Sequence, residues 1–230
     1  MIDVMVPILI ATLGAGTPLV FAALGELVAE KSGVLNLGVE GMMLVGAIAA
    51  FAATAASGNV WLGVAAGMAA GAGMALIFGV LTLTLQANQV AAGLALTIFG
   101  VGLSAFVGKP YESVALQAPQ ALHLPVLSDI PLLGPILFSH HPLVYLSWVL
   151  FGLVAWFLYK TRQGLVLRSV GESPTSANAL GYPVIGIRYL ATLFGGAMAG
   201  AGGAYLSIVY TPMWVEGMTA GRGWIALALV

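Results

Sequence analysis

Residues 33–47 read GVLNLGVEGMMLVGA and place two polar side chains among glycines at the start of a long apolar stretch. Asn36 and Glu40 are four residues apart, so they would share one face if this part of the chain were helical. The surrounding glycines favour an irregular or broken helix. Backbone of that kind is tolerated at membrane depth only where protein or a water-filled cavity satisfies it. The stretch therefore predicts a broken helix near 33–42, with Asn36 and Glu40 as candidates for a pathway or gate.

The composition is that of an integral membrane protein. The chain has 230 residues, of which 60% are hydrophobic and only 7% are charged, whereas soluble domains are about 25% charged. A net charge of −1 without a basic patch argues against nucleic acid as a partner. The chain has no cysteine, which excludes disulfides and cysteine-ligated metal sites.

Six apolar stretches are long enough to span a bilayer, which takes roughly 20 residues. They predict an all-α polytopic helical bundle that forms a single transmembrane domain over residues 1–230. A final apolar run stops at Val230 after a few residues, so we expect this domain to be C-terminally incomplete. The six predicted spans are 4–25, 38–56, 60–84, 90–108, 142–160 and 189–209.

Basic residues orient the bundle, because they concentrate in short cytoplasmic loops. Lys160, Arg162, Arg168 and Arg188 place the loop 161–188 inside. Counting spans backwards then places the connector 26–37 inside as well. Acidic side chains in and just after this connector have an alternative interpretation, in which they only mark a solvated inner rim. That alternative covers Glu26, Glu30 and Glu40.

The loop 161–188 is a polar island that contains a short helix with clear boundaries. Ser173 can cap it, Pro174 suits its first position and Gly181 can end it. About two turns of helix are too short to be stable alone in water. The pattern therefore predicts a cytoplasmic helix that docks on a partner.

The spacing of glycines indicates how the helices pack. Glycines at Gly63, Gly67 and Gly71, and again at Gly196 and Gly200, predict close contacts between helices.

The letters VEGM occur at 39–42 and again at 215–218, an offset that also carries the first span onto 189–209. An internal repeat is a plausible interpretation, and transporters often place their pathways between repeats. Trp214 and Glu216 of the second copy are therefore pathway candidates. Trp214 has an alternative interpretation as an aromatic anchor at the membrane interface.

The chain offers no constellation for catalysis. It has no nucleophile–base pair, carboxylate dyad or phosphate-binding glycine loop. Its three histidines, His123, His140 and His141, have no third ligand nearby, so we predict no metal site and no enzyme activity.

Three segments resemble the permease subunits of bacterial ABC importers that serve branched-chain amino acids, ribose-type sugars and nucleosides. They are GVLNLGVEGMMLVGA at 33–47, GESPTSANALG at 171–181 and YTPMWVEGMTAGRGWIALALV at 210–230. The last resembles the shorter permease of the nucleoside (simple-sugar) subgroup. Family members continue for several more helices, in line with an incomplete chain.

The resemblance implies a multi-pass protein of the bacterial plasma membrane that forms half of a translocation path for nucleosides. It implies a second, related permease as a heterodimer partner and an extracytoplasmic binding protein that delivers substrate. ATP would be bound by a separate ATP-binding subunit, and this chain would carry no cofactor. The cytoplasmic coupling segment that docks on that subunit would consist of Glu172, Ser173, Pro174, Ala177, Leu180 and Gly181.

Other functions remain open on the residues alone. Ribose-type sugars or branched-chain amino acids could replace nucleosides as the substrate. An ion-coupled secondary transporter is another class, although it would need intramembrane ion ligands. A membrane scaffold would need only the glycine-rich faces.

Overall fold

The computed structural model describes residues 2–117, 119–122, 128, 130 and 133–230, and this part of the chain is built from α-helices without strands. Two π-helical turns, at Val80–Thr84 and Leu206–Tyr210, extend α3 and α9, and a 3-10 turn at Lys109–Tyr111 follows α4. The α-helices are α1 Ile2–Lys31, α2 Val39–Ser57, α3 Val60–Gly79, α4 Gln89–Gly108, α5 Leu133–Phe138, α6 Pro142–Lys160, α7 Arg162–Glu172, α8 Pro174–Ala179, α9 Val184–Tyr205 and α10 Arg222–Ala228.

Six of these helices, α1, α2, α3, α4, α6 and α9, are long and apolar enough to cross a membrane, which confirms the six predicted spans. The fifth span occupies the predicted residues, 142–160. α1 continues to Lys31, beyond the predicted end at residue 25, because the added residues include the good helix formers Glu, Leu, Ala and Lys. α9 begins at Val184, five residues before the prediction.

α9 lies at the centre of the bundle and packs against α1, α2 and α3. The contacts are backbone to backbone, as the glycine spacing predicts. A methyl group added to Gly200 would collide with the carbonyl of Gly67 on α3, and one added to Gly25 on α1 would collide with the carbonyl of Gly195. Such close approach maximises dispersion contacts between helices where lipid offers no hydrophobic driving force.

The chain is unwound between α1 and α2 at residues 32–38, which overlaps the predicted break near 33–42, whereas residues 39–42 already belong to α2. The unwound segment runs along the inner half of α4. Near its start the Leu35 amide donates to Oε1 of Gln89, the first residue of α4, at 2.8 Å. Further on, the Leu37 carbonyl accepts from Thr97 Oγ1 at 2.9 Å, so protein groups satisfy the unwound backbone.

α2 therefore begins deep in the membrane. The backbone of Gly41, in its first turn, lies against Gly100 of α4. From Gln89 to Gly100, α4 rises by ~16 Å at about 1.5 Å per residue, which is half of a hydrocarbon core about 30 Å thick. α2 is also the most enclosed of the six spanning helices.

A second unwound segment, 211–221, enters from the opposite side. At its outer end the Leu116 amide donates to the Pro212 carbonyl at 3.0 Å. Trp214 then packs on Gly108, the last residue of α4, and Thr219 reaches the first turn of α2. α10 thus also starts near mid-membrane. The order α9, unwound segment, α10 repeats the order α1, unwound segment, α2, but the second unwound segment enters from the opposite side of the membrane.

Two histidines of the outer loop organise the start of α6. His140 Nε2 lies 2.8 Å from the carbonyl oxygen of Ile136, and His141 Nδ1 accepts from the Leu143 amide at 3.3 Å. Burial lowers the pKa of His141, which favours the neutral imidazole that can accept this bond. His123 lies outside the described residues.

We expect Gly200→Ala to destabilise the bundle, because its methyl group has no space beside Gly67. Overpacking of this kind costs about 1–3 kcal/mol, and thermal unfolding of the detergent-solubilised protein would measure it. Gly73→Ala on α3 is the matched control, since nothing lies within 4 Å of the added methyl. Equal melting temperatures for the two variants would contradict the packing.

Candidate functional site

The carboxylate of Glu40 joins the two unwound segments at mid-membrane. Glu40 is 6% exposed and stands in the first turn of α2. Its Oε1 accepts from Thr219 Oγ1 at 2.6 Å and from the Gly221 amide at 2.9 Å, and its Oε2 accepts from the Gly223 amide. Gly221 is the N-cap of α10, so the negative charge also lies at the positive end of that helix.

Glycine is required where the chain meets this carboxylate. A methyl group added to Gly223 would lie 2.5 Å from the Glu40 Cα. Gly221 has φ +83, a left-handed conformation that other residues rarely adopt. The sequence prediction named Glu40 but missed Thr219, Gly221 and Gly223. The glycines on either side of Arg222 were the available signal.

Glu26 and Asn36 hold the inner part of the break. Glu26 Oε1 accepts from the Asn36 amide at 3.0 Å, and Asn36 Oδ1 accepts from the Gly38 amide at 2.9 Å. Both side chains are 1% exposed, so Asn36 closes a turn inside the protein and lines no open surface. The rim interpretation is wrong for Glu26 and Glu40, which are buried, and fits only the exposed Glu30. Among the described residues, Glu26 Oε2 has no hydrogen-bond partner.

The other two pathway candidates, Trp214 and Glu216, lie in different environments, one buried and one exposed. Trp214 is 1% exposed and packs in a cluster with Ala47, Ile48 and Phe51 of α2. Burial in the protein, which the sequence pattern could not show, makes the membrane-anchor interpretation wrong. Glu216 is exposed at a turn and does not repeat the role of Glu40.

Arg222 makes its side-chain contacts close to its own place in the chain. Its Nη1 donates to the carbonyl oxygens of Met218 and Thr219 at 3.3 and 3.1 Å, and its guanidinium lies 5.9 Å from the centre of the Tyr210 ring. These contacts fasten the turn that leads into α10.

The short helix predicted in the polar loop is present as α8. Ser173 is its N-cap, with Oγ accepting from the Ser176 amide at 3.4 Å, and Pro174 is its first residue. Gly181 follows its end with φ +86. The local boundaries are confirmed.

The residues assigned to coupling divide into an outer surface and a support. Leu180 is 77% exposed, and Glu172 and Gly181 are exposed as well. Ala177 is only 2% exposed, so it packs inside the loop and cannot itself face a partner.

The loop contacts the start of the broken segment at two points. Gly171, near the end of α7, packs its Cα against the carbonyl of Lys31 and the amide of Gly33. Arg188, in the first turns of α9, donates from Nε to the Ser32 carbonyl at 3.0 Å. The loop is therefore in direct contact with the segment that leads to Glu40.

Comparison with known proteins agrees with this architecture. A putative glucose ABC transporter permease of Haloferax volcanii is 45% identical over 96% of this chain and 68% of its own length. A guanosine ABC transporter permease of Bacillus subtilis is 33% identical over 99% of this chain and 74% of its own. A nucleoside ABC transporter permease of Lactococcus lactis is 33% identical over 92% and 70%. No solved structure matched.

The family model described as branched-chain amino acid transport system, permease component, matches residues 8–230. A secondary transporter and a scaffold are thereby set aside, and the membrane is the prokaryotic plasma membrane. Because the match covers nearly the whole chain, the protein belongs to this family and is the multi-pass permease component of an ABC transporter.

Proposed function

We propose that this chain forms half of the translocation path of an ATP-driven nucleoside importer. The observation that carries the proposal is the contact between the loop 161–188 and the broken segment 32–38. Through it, a force applied at the cytoplasmic surface reaches the mid-membrane junction at Glu40. A permease driven by a separate motor needs such a connection.

The motor is a partner ATP-binding subunit that docks on the surface formed by Glu172, Leu180 and Gly181. These residues are exposed beside the capped helix α8. The chain itself binds no ATP, in keeping with a sequence that lacks a phosphate-binding glycine loop. The ATPase activity that drives transport belongs to the partner subunit.

The proposed transmission has three steps. Closure of the ATPase displaces α8, and Gly171 and Arg188 carry the displacement to residues 31–33. The Glu26–Asn36 hydrogen bond then carries it along the unwound segment. At the end of that segment, α2 moves relative to α10, and the three hydrogen bonds of Glu40 open or close.

A second, related permease completes the path, and an extracytoplasmic binding protein delivers substrate to the outer face. Two observations are consistent with a path between two chains. The junction at Glu40 is filled by its own contacts, and α4 exposes large apolar side chains such as Ile98 and Phe106. Lipid or the sister subunit can cover that face.

Nucleosides are the proposed substrate because two relatives at 33% identity are named for guanosine and for nucleosides. Glucose is the second candidate, favoured by the 45% identity to a putative glucose permease. The two ligands share a neutral ring that carries hydroxyl groups. Transport of either class therefore requires hydrogen-bonding groups along the path and no opposite charge.

Glu40→Gln should reduce uptake by tenfold or more while the variant still inserts and binds the ATPase. The amide offers one acceptor oxygen in place of two and sets its NH₂ against a backbone amide. Hydrogen bonds to a charged group contribute about 1.5–3 kcal/mol. A loss of that size changes the ratio of two conformations by about tenfold or more. Uptake into proteoliposomes, normalised to inserted protein, measures the effect.

Glu216→Gln is the matched control for this experiment, because it makes the same change in the second VEGM segment on an exposed side chain. Surface substitutions cost within about 0.5 kcal/mol, so uptake should stay within about twofold of wild type. If Glu40→Gln transported at the wild-type rate, Glu40 would have only a structural role.

Leu180→Asp should weaken binding of the ATPase and abolish ATP-dependent uptake, because it places a charge in the apolar part of the docking surface. Co-purification with the ATP-binding subunit and ATPase stimulation are the measurements. Leu122→Asp is the control, being an exposed leucine on the outer side. If Leu180→Asp and Glu172→Arg both bind the ATPase and transport normally, the coupling surface lies elsewhere.

Substrate class can be decided with the assembled importer and its binding protein. Labelled guanosine should accumulate in an ATP-dependent manner, and excess unlabelled glucose should not compete. Accumulation of glucose without guanosine uptake would reverse the assignment while leaving the ATP-driven mechanism intact.

A further inference from the structure

A groove with a volume of about 740 Å³ lies between α6, α7 and α9, with Val28 of α1 in its floor. This is within the range of ligand sites, about 300–1,000 Å³. Leu153, Phe157 and Phe194 are among its walls, which are apolar along most of their length. Only one end is polar, and there the groove is bordered by Arg162, Gln163 and Tyr182.

The groove spans the inner half of the membrane. Its lining on α6 starts at Leu150, and α6 ends at Lys160. That part of the helix is ~15 Å long at about 1.5 Å per residue, which equals half of the hydrocarbon core of about 30 Å. On α9 the lining extends from Ile187 near the inner end to Phe194. The apolar walls thus match the depth of one leaflet.

The polar end lies at the cytoplasmic headgroup level and carries basic side chains. Arg162 is exposed at the end of the groove, and Lys160 is exposed two residues before it. The one acidic residue of segment 160–188 is Glu172, which stands at the far end of α7, ~15 Å along that helix. Basic residues in this position attract anionic headgroups.

We infer that this groove binds an anionic phospholipid of the inner leaflet, with an acyl chain between α6 and α9 and its phosphate at Arg162. Depth, apolar walls and a cationic end each match one part of that molecule. A zwitterionic lipid shares the acyl chains but brings a cation next to Arg162. The site therefore selects for net negative headgroups.

The first test compares lipid retention by the purified full-length chain in mixed phosphatidylglycerol–phosphatidylcholine nanodiscs. Native mass spectrometry should show preferential retention of phosphatidylglycerol. Arg162→Gln should reduce that preference about fivefold, the factor that corresponds to about 1 kcal/mol per basic residue at an anionic surface. Lys109→Gln is the control, because it removes an exposed cation on the outer side.

The second test blocks the groove and leaves its charge unchanged. Leu153 is 51% exposed, so Leu153→Trp should fill the space and reduce retention of both lipids. Ile98→Trp, on the 74% exposed side chain of α4, is the matched control outside the groove. Wild-type retention and preference in both Arg162→Gln and Leu153→Trp would overturn the proposal.

A third measurement tests whether lipid or protein occupies the groove. Since the chain has no cysteine, Leu153→Cys supplies a single site for a benzophenone maleimide in the assembled transporter. Photolysis should yield adducts with phospholipid. Adducts with another segment of the chain or with a sister subunit, and none with lipid, would show that protein fills the groove and would refute the inference.

Discussion

The buried charge of Glu40 is the constraint on which the rest of the structure depends. A carboxylate at membrane depth is costly and persists only when donors accompany it. The donors come from Thr219, Gly221 and Gly223, more than 170 residues along the chain. Both chain segments must be unwound at the same depth for this contact to form.

Close packing around α9 makes that arrangement possible. α2 and α3 approach it through glycines, so these helices leave little space between them and hold their relative depth. Gly41 against Gly100 fixes α2 on α4 in the same way, one residue after Glu40. The carboxylate is therefore held by a rigid frame, and a shift of α2 must move the carboxylate with it.

Local patterns predicted much of this fold. Apolar length located all six spans, and cap chemistry located α8, because both depend on neighbouring residues. Glycines predicted the break before α2. Features that depend on tertiary contact were missed: the partners of Glu40, the burial of Trp214 and the inward position of Ala177. α7 was also missed, although a local signal was present, because Thr161 caps it by accepting from the Gly164 amide at 3.0 Å.

The energetics of Glu40 also constrain how a path could open beside it. Separating α2 from α10 removes three hydrogen bonds from a carboxylate, and each is worth about 1.5–3 kcal/mol. A dry opening would leave the charge without donors, which costs several kcal/mol more. The opened state must therefore supply donors of its own, either water or hydroxyl groups of the solute. A solute with several hydroxyl groups meets that requirement, whereas an apolar one would leave Glu40 unsatisfied. A path that opened at this junction would therefore be stabilised by a solute that carries several hydroxyl groups.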